Sequence, residues 1–186
     1  MERLFRRAGL QLSMTEGFHP KPRMAFPLAL ALGHEGLQEV MELELTEELP
    51  ADTVLERLQA NTIPGLEFRS VEVLPPGAKK GRVTESTFVI DLPEDRLAEA
   101  DDQIRRFMAQ TSLEIVRPKK GSRVDLRKTV RSLEIDELGH LTMRLEVSEG
   151  TDASPREILQ VIGLEDIESR GRHFTRTDVR LAGQAV

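Results

Sequence analysis

Cysteine, tryptophan and tyrosine do not occur in this sequence of 186 residues, and each absence removes a class of function. Without cysteine the chain can form no disulfide, no thiolate zinc site and no cysteine-held iron–sulfur cluster, and a reducing compartment, the cytoplasm, is its expected location. Seven phenylalanines stand alone among Phe, Trp and Tyr, so a platform on which nucleic-acid bases stack is not expected. No apolar run approaches the roughly 20 residues that cross a bilayer. The opening Met1-Glu2-Arg3-Leu4-Phe5-Arg6-Arg7 lacks the apolar stretch of a secretion signal. The membrane is therefore not an expected partner.

Positive charge is also in deficit, with a net charge of −6, but the charges are sorted along the chain. Residues 35–56 carry Glu39, Glu42, Glu44, Glu47, Glu48 and Asp52 without a lysine or arginine. Residues 117–131 reverse the balance with Arg117, Lys119, Lys120, Arg123, Arg127, Lys128 and Arg131 against Asp125. Arg170, Arg172, Arg176 and Arg180 follow. With 39% hydrophobic residues the chain can bury a core.

Periodicity gives the elements. Leu4, Phe5, Ala8 and Leu12 share one helical face, and Pro20 and Pro22 force a stiff loop after it. Residues 24–32 read as a short strand interrupted at Pro27, and residues 39–46 alternate Met41, Leu43 and Leu45 with acidic partners. Thr53 and Glu56 have capping-box spacing, with Asp52 an alternative cap, ahead of Val54, Leu55, Leu58 and Ile63. Residues 66–73 read as a strand with a bulge at Ser70.

Pro75-Pro76-Gly77 then marks a boundary, dividing the chain into 1–76 and 77–186. The second half begins with a strand through Phe88, Ile90 and Leu92, then a helix through Leu97, Ala100, Ile104 and Phe107. A short strand at 113–116 precedes a basic loop, and a hairpin turns near Leu138-Gly139-His140. Ser154, Pro155 and Glu157 open the best-marked helix, Gly163 ends it, and residues 174–181 form a last strand.

The fold expected is α+β, as two ferredoxin-like β-α-β-β-α-β halves, the first lacking its N-terminal strand. One continuous mixed sheet with helices on one face is the alternative. A half that begins at its first helix leaves strand groups uncovered. Two explanations stand: a reading frame that starts upstream, preferred because residues 1–4 read as helix without a capping side chain, or a strand supplied by a partner.

The runs Arg6-Arg7-Ala8-Gly9, Gly17-Phe18-His19-Pro20-Lys21-Pro22-Arg23 and Pro27-Leu28 resemble the opening of the radical SAM-linked domain of unknown function, a bacterial family encoded beside or fused to radical SAM proteins. Val124-Asp125-Leu126-Arg127 and Arg176-Thr177-Asp178 are compatible with it, so the resemblance spans most of the chain. Two departures accompany it. Members of that family usually begin with a further strand and a Ser-His-Leu-Asp-like segment, and they tend to show Pro-Tyr where this chain has Lys128-Thr129. The resemblance implies a radical SAM protein as partner, and by association an RNA-related role. This chain lacks the three cysteines that hold a radical SAM cluster, so it is expected to accompany such chemistry and not to perform it.

The candidate binding residues are Phe18, His19, Lys21 and Arg23 on the stiff loop, and Lys119, Lys120, Arg123, Arg127 and Lys128 in the basic segment. The first set offers an imidazole and two cations to a phosphate or carboxylate; equally, the prolines steer the chain and the charges solvate it. The second set could neutralise an RNA backbone, or be a solvated loop paired with acidic residues. Arg170, Arg172, His173 and Arg176 could extend that surface, although polar positions are ordinary in an exposed strand. His19, His34, His140 and His173 are widely spaced and form no metal motif, His34-Glu35 reads as a loop between glycines, and no cofactor is expected. The functional expectation is a non-catalytic accessory or binding protein; the alternative is an enzyme acting on RNA or a phosphorylated substrate through His19 and Arg23.

Overall fold

The computed structural model describes residues 1–117, 121–148 and 153–183. In chain order the elements are α1 (Glu2–Arg7), β1 (Met24–Ala25), β2 (Glu35–Gly36), β3 (Glu42–Leu43), α2 (Ala51–Ala60), β4 (Val83–Asp91), α3 (Leu97–Met108), β5 (Glu114–Val116), β6 (Arg123–Asp125), α4 (Leu126–Thr129), β7 (Val130–Ile135), β8 (His140–Glu146), α5 (Pro155–Val161) and β9 (Thr175–Leu181). The class is α+β. The chain divides into two compact units: one of Met1–Pro27 with Met41–Lys80, the other of Leu28–Val40 with Gly81–Val186.

In the first unit α1 buries Leu4 and Phe5 and stops earlier than the apolar spacing predicts. Gly9, at φ 67°, turns the chain. Its N–H donates to Arg6 O and that of Leu10 to Phe5 O, a pairing that closes a helix and needs a residue tolerant of the left-handed region. The helix α2 starts at Ala51 with Pro50 at its cap, ahead of both expected caps, and buries Val54 and Leu58. Ile63 is exposed. The acidic stretch contributes Met41, Leu43 and Leu45 to this unit's core, but its ladder is short: β3 pairs antiparallel with β1, and Leu45 bridges Leu12.

Residues 66–73 form no strand. Leu66, Phe68 and Val71 do pack on the core, as their alternation predicts. Their backbone is satisfied otherwise: Gln59 Nε2 donates to Phe68 O and Thr62 Oγ1 to Leu66 O, so α2 and the turn after it take carbonyls that a ladder would have used.

The second unit is built on a five-stranded sheet ordered β2-β9-β4-β8-β7. The central β4 is antiparallel to both β8 and β9, and β7 is antiparallel to β8. Only β2, from the Leu28–Val40 excursion, runs parallel to its neighbour β9. Leu141, Met143 and Leu145 of β8 and Phe88 and Ile90 of β4 meet Ala100, Ile104 and Phe107 of α3 and Ile158, Leu159 and Ile162 of α5 in one core. The helix α5 is held as its sequence predicts: Ser154 Oγ accepts from the Arg156 N–H, and Glu157 accepts from the Ser154 N–H at 2.8 Å. The basic stretch expected as a loop supplies β6, which pairs with β5, and α4. Lys119 and Lys120 lie outside the described residues.

Candidate functional site

Residues 13–23 form a hairpin whose legs are tied by backbone and side chain together. Thr15 donates its N–H to Lys21 O at 2.8 Å and receives the Lys21 N–H on its Oγ1 at 2.9 Å; the Arg23 N–H reaches Ser13 O at 2.7 Å. Pro20 and Pro22 stiffen the returning leg. At the tip Gly17 adopts φ 123°, with no atom within 4 Å of where a Cβ would sit. Phe18 beside it is fully exposed, at 102% of its reference area. His19 and Lys21 are exposed too.

Arg23 plays another part. Its Nε donates to Met14 O at 3.2 Å and its guanidinium lies 3.5 Å from the Glu44 carboxylate, so it braces the hairpin from behind. The loop residues singled out from sequence thus separate into a presented set, Phe18, His19 and Lys21, and a structural one, Arg23. Next to the hairpin an open pocket of about 540 Å³ is lined by residues of α1 and by Leu10, Leu12, Met14, Pro20, Lys21 and Pro22.

The basic segment of the second unit is largely engaged. Arg117 forks onto Glu157 at 2.7 and 2.8 Å, and burial of that carboxylate is outweighed by the guanidinium, which lowers its pKa. Arg127 donates to Met108 O and Val130 O, Arg123 faces Glu114 at 3.8 Å, and Lys128 faces Asp125 at 3.3 Å. Asp125 has its pKa lowered to about 2, first by the Leu113 N–H, then by the Ser112 hydroxyl and Lys128. Arg131, Arg170, Arg172 and Arg180 also face carboxylates. An unpaired run of cations, the arrangement that would best follow a phosphate backbone, is not what these described residues present.

Arg176, expected on a polar strand face, is 2% exposed. Its Nε donates to Glu39 Oε1 at 2.8 Å, Nη2 to the other Glu39 oxygen and to Leu28 O, and Nη1 to Ala29 O; the Phe88 ring centroid lies 5.9 Å away. Gly36 makes this possible. A Cβ there would stand 2.5 Å from Glu39 Oε1, so only glycine lets the carboxylate fold back over β2.

His34 lies in the same unit with its ring 5.0 Å from Phe174 and 6.0 Å from Phe88. Neither ring nitrogen has a hydrogen-bond partner among the described residues. Burial first, then the Arg156 cation, lowers its pKa, with Glu168 opposing and Arg176 assisting. Arg156 itself forks onto Glu168 at 2.6 and 2.8 Å and donates to Leu32 O. Sequence reading passed over this cluster, because its members come from residues 28–40, 88, 156–176 and share no local spacing. The Gly33-His34-Glu35-Gly36 run was the available signal.

Among the described residues no three His, Asp or Glu side chains are placed to hold a metal ion, and no helix is long and apolar enough to cross a membrane. Residues 1–156 match a family described as an uncharacterized protein conserved in bacteria (DUF2344). No curated protein and no solved structure matches the chain.

Proposed function

The chain belongs to this bacterial family, DUF2344, and we propose that it is a non-catalytic binding module that presents the hairpin at residues 13–23 to a partner protein in the cytoplasm. The observation that carries the reading is Phe18, a large apolar side chain held wholly in solvent at the tip of a cross-braced loop. A pre-ordered aromatic loses little conformational freedom on docking, and such residues anchor protein interfaces. His19 and Lys21 beside it give the contact polarity.

The sequence resemblance of Gly17-Phe18-His19-Pro20-Lys21-Pro22-Arg23 supplies the partner class, a radical SAM protein. The engagement of Arg117, Arg123, Arg127 and Lys128 by acceptors within the chain favours a protein partner over RNA. The use of Arg23 as a brace likewise favours binding over the enzymatic alternative through His19 and Arg23. A ferredoxin-like scaffold is part of this proposal. Its support is the β4-α3-β7-β8-α5-β9 path of the second unit, with sheet order β9-β4-β8-β7.

Surface plasmon resonance between the full chain and a radical SAM protein of the same bacterium tests the reading. Burying Phe18 contributes about 2 kcal/mol, so Phe18→Ala is expected to weaken binding roughly 30-fold. Unchanged affinity in that variant would remove the hairpin from the interface. Binding of RNA with no dependence on Phe18 would move the function to the basic segment.

A further inference from the structure

The chain at residues 10–14 pairs with two antiparallel segments along one edge of its backbone and turns the other edge away from both. Across from Leu12, the Ser13 N–H reaches Glu44 O and the Thr46 N–H reaches Gln11 O. Across from Met14, the Thr15 N–H reaches Lys21 O and the Arg23 N–H reaches Ser13 O. In an antiparallel ladder of this pattern the bridged residue points its own N–H and C=O away from the partner. Leu12 and Met14 therefore direct their N–H groups to the opposite side, where neither has an acceptor among the described residues, while the Met14 carbonyl already accepts from Arg23 Nε.

The same residues line the pocket of about 540 Å³, whose walls include Leu10, Leu12 and Met14. Two cations, Arg6 and Lys21, line it as well, with Glu2. Among the described residues neither cation has an ion-pair partner, in contrast to the basic residues of the second unit, which are engaged by acceptors. Pro20 and Pro22 belong to the lining too and stiffen it.

We infer that this edge takes an extended acidic segment of the partner protein as an added β-strand, hydrogen-bonded to Leu12 and Met14. Its alternate apolar side chains enter the pocket, and its carboxylates meet Arg6 and Lys21. The inference rests on the binding-module reading and specifies how the partner is held. Backbone pairing supplies the attachment, and the pocket and cations select the sequence. Phe18 is not among the pocket lining and makes a contact of its own.

The test uses the full chain with two labelled heptapeptides, one alternating valine and glutamate, the other valine and lysine. Amide hydrogen exchange is followed by NMR. The Val–Glu peptide is expected to slow exchange at Leu12 and Met14 at least tenfold at millimolar concentration, and the Val–Lys peptide is not. The double variant Arg6→Glu, Lys21→Glu is expected to invert this preference while leaving the chain folded. Absence of protection at both amides, or protection confined to another segment, overturns the inference. Persistence of Phe18-dependent binding to the radical SAM protein in that case would leave the binding-module reading standing, so the two fail separately.

Discussion

Replacing Glu39 by leucine is expected to loosen the excursion at Leu28–Val40 from the second unit. Arg176 keeps the carbonyls of Leu28 and Ala29 but loses its carboxylate partner while 98% of its surface remains out of water. Breaking a buried pair by removing one member costs about 3–5 kcal/mol. Glu39 is itself 29% exposed and two acceptors stay in place, so the lower end, about 3 kcal/mol, applies here. For a unit of roughly 100 residues that is a fall of about 10–20 °C in the melting temperature. Calorimetry measures the fall, and amide exchange locates it, because the Glu35 and Leu37 N–H groups bonded to Phe174 O and Arg176 O should be the first to open. Gly36→Ala should reproduce the effect by displacing the same carboxylate. Adding Arg176→Met to Glu39→Leu should restore part of the loss, since the uncompensated charge goes too. A loss below about 1 kcal/mol in Glu39→Leu, the median range for a surface pair, would refute the argument that this is a buried one.

Three further outcomes are expected. His34 binds a proton less readily folded than unfolded, so its stabilising neutral form is complete above the ordinary imidazole value and is lost as pH falls through the lowered one; urea titrations from pH 7.5 to 5 should show this loss, and His34→Phe should reduce it. Asp125→Ala should speed exchange of the Leu113 amide, which donates to Asp125 Oδ1 at 2.9 Å; in the parent protein the same amide should stay protected down to pH 3, because the carboxyl is ionised above about 2. Ser154→Ala should cost about 1 kcal/mol by removing the cap of α5, and Glu157→Ala should cost more, because that carboxylate also holds Arg117; chemical denaturation ranks the two.

Most of the second unit's elements could be read locally. The strands β4 and β8 announce themselves by alternation, α3 by helical spacing, and α5 by its capping residues, each a signal contained within ten or so neighbours. The hairpin at residues 13–23 was equally visible, since Gly17, Pro20 and Pro22 dictate a stiff turn wherever they occur. The division of its side chains was not. Phe18 and Arg23 carry the same expectation of binding, yet Phe18 stands in solvent and Arg23 is a brace, because Met14 and Glu44 take its guanidinium.

Sequence by itself determined the mixed α+β composition, the stiff loop and the absence of thiolate chemistry. Only tertiary structure decided where charges and segments go. Alternation specifies that residues 66–73 turn Leu66, Phe68 and Val71 inward, yet α2 and the turn after it, through Gln59 and Thr62, claim the carbonyls that would have made a strand. Arg117 and Arg176, read as parts of a basic surface, are matched to carboxylates 40 and 137 residues away, Glu157 and Glu39. Side-chain periodicity reports which face of an element is buried but carries no record of what lies against it, and a charge is neutralised by its neighbour in space.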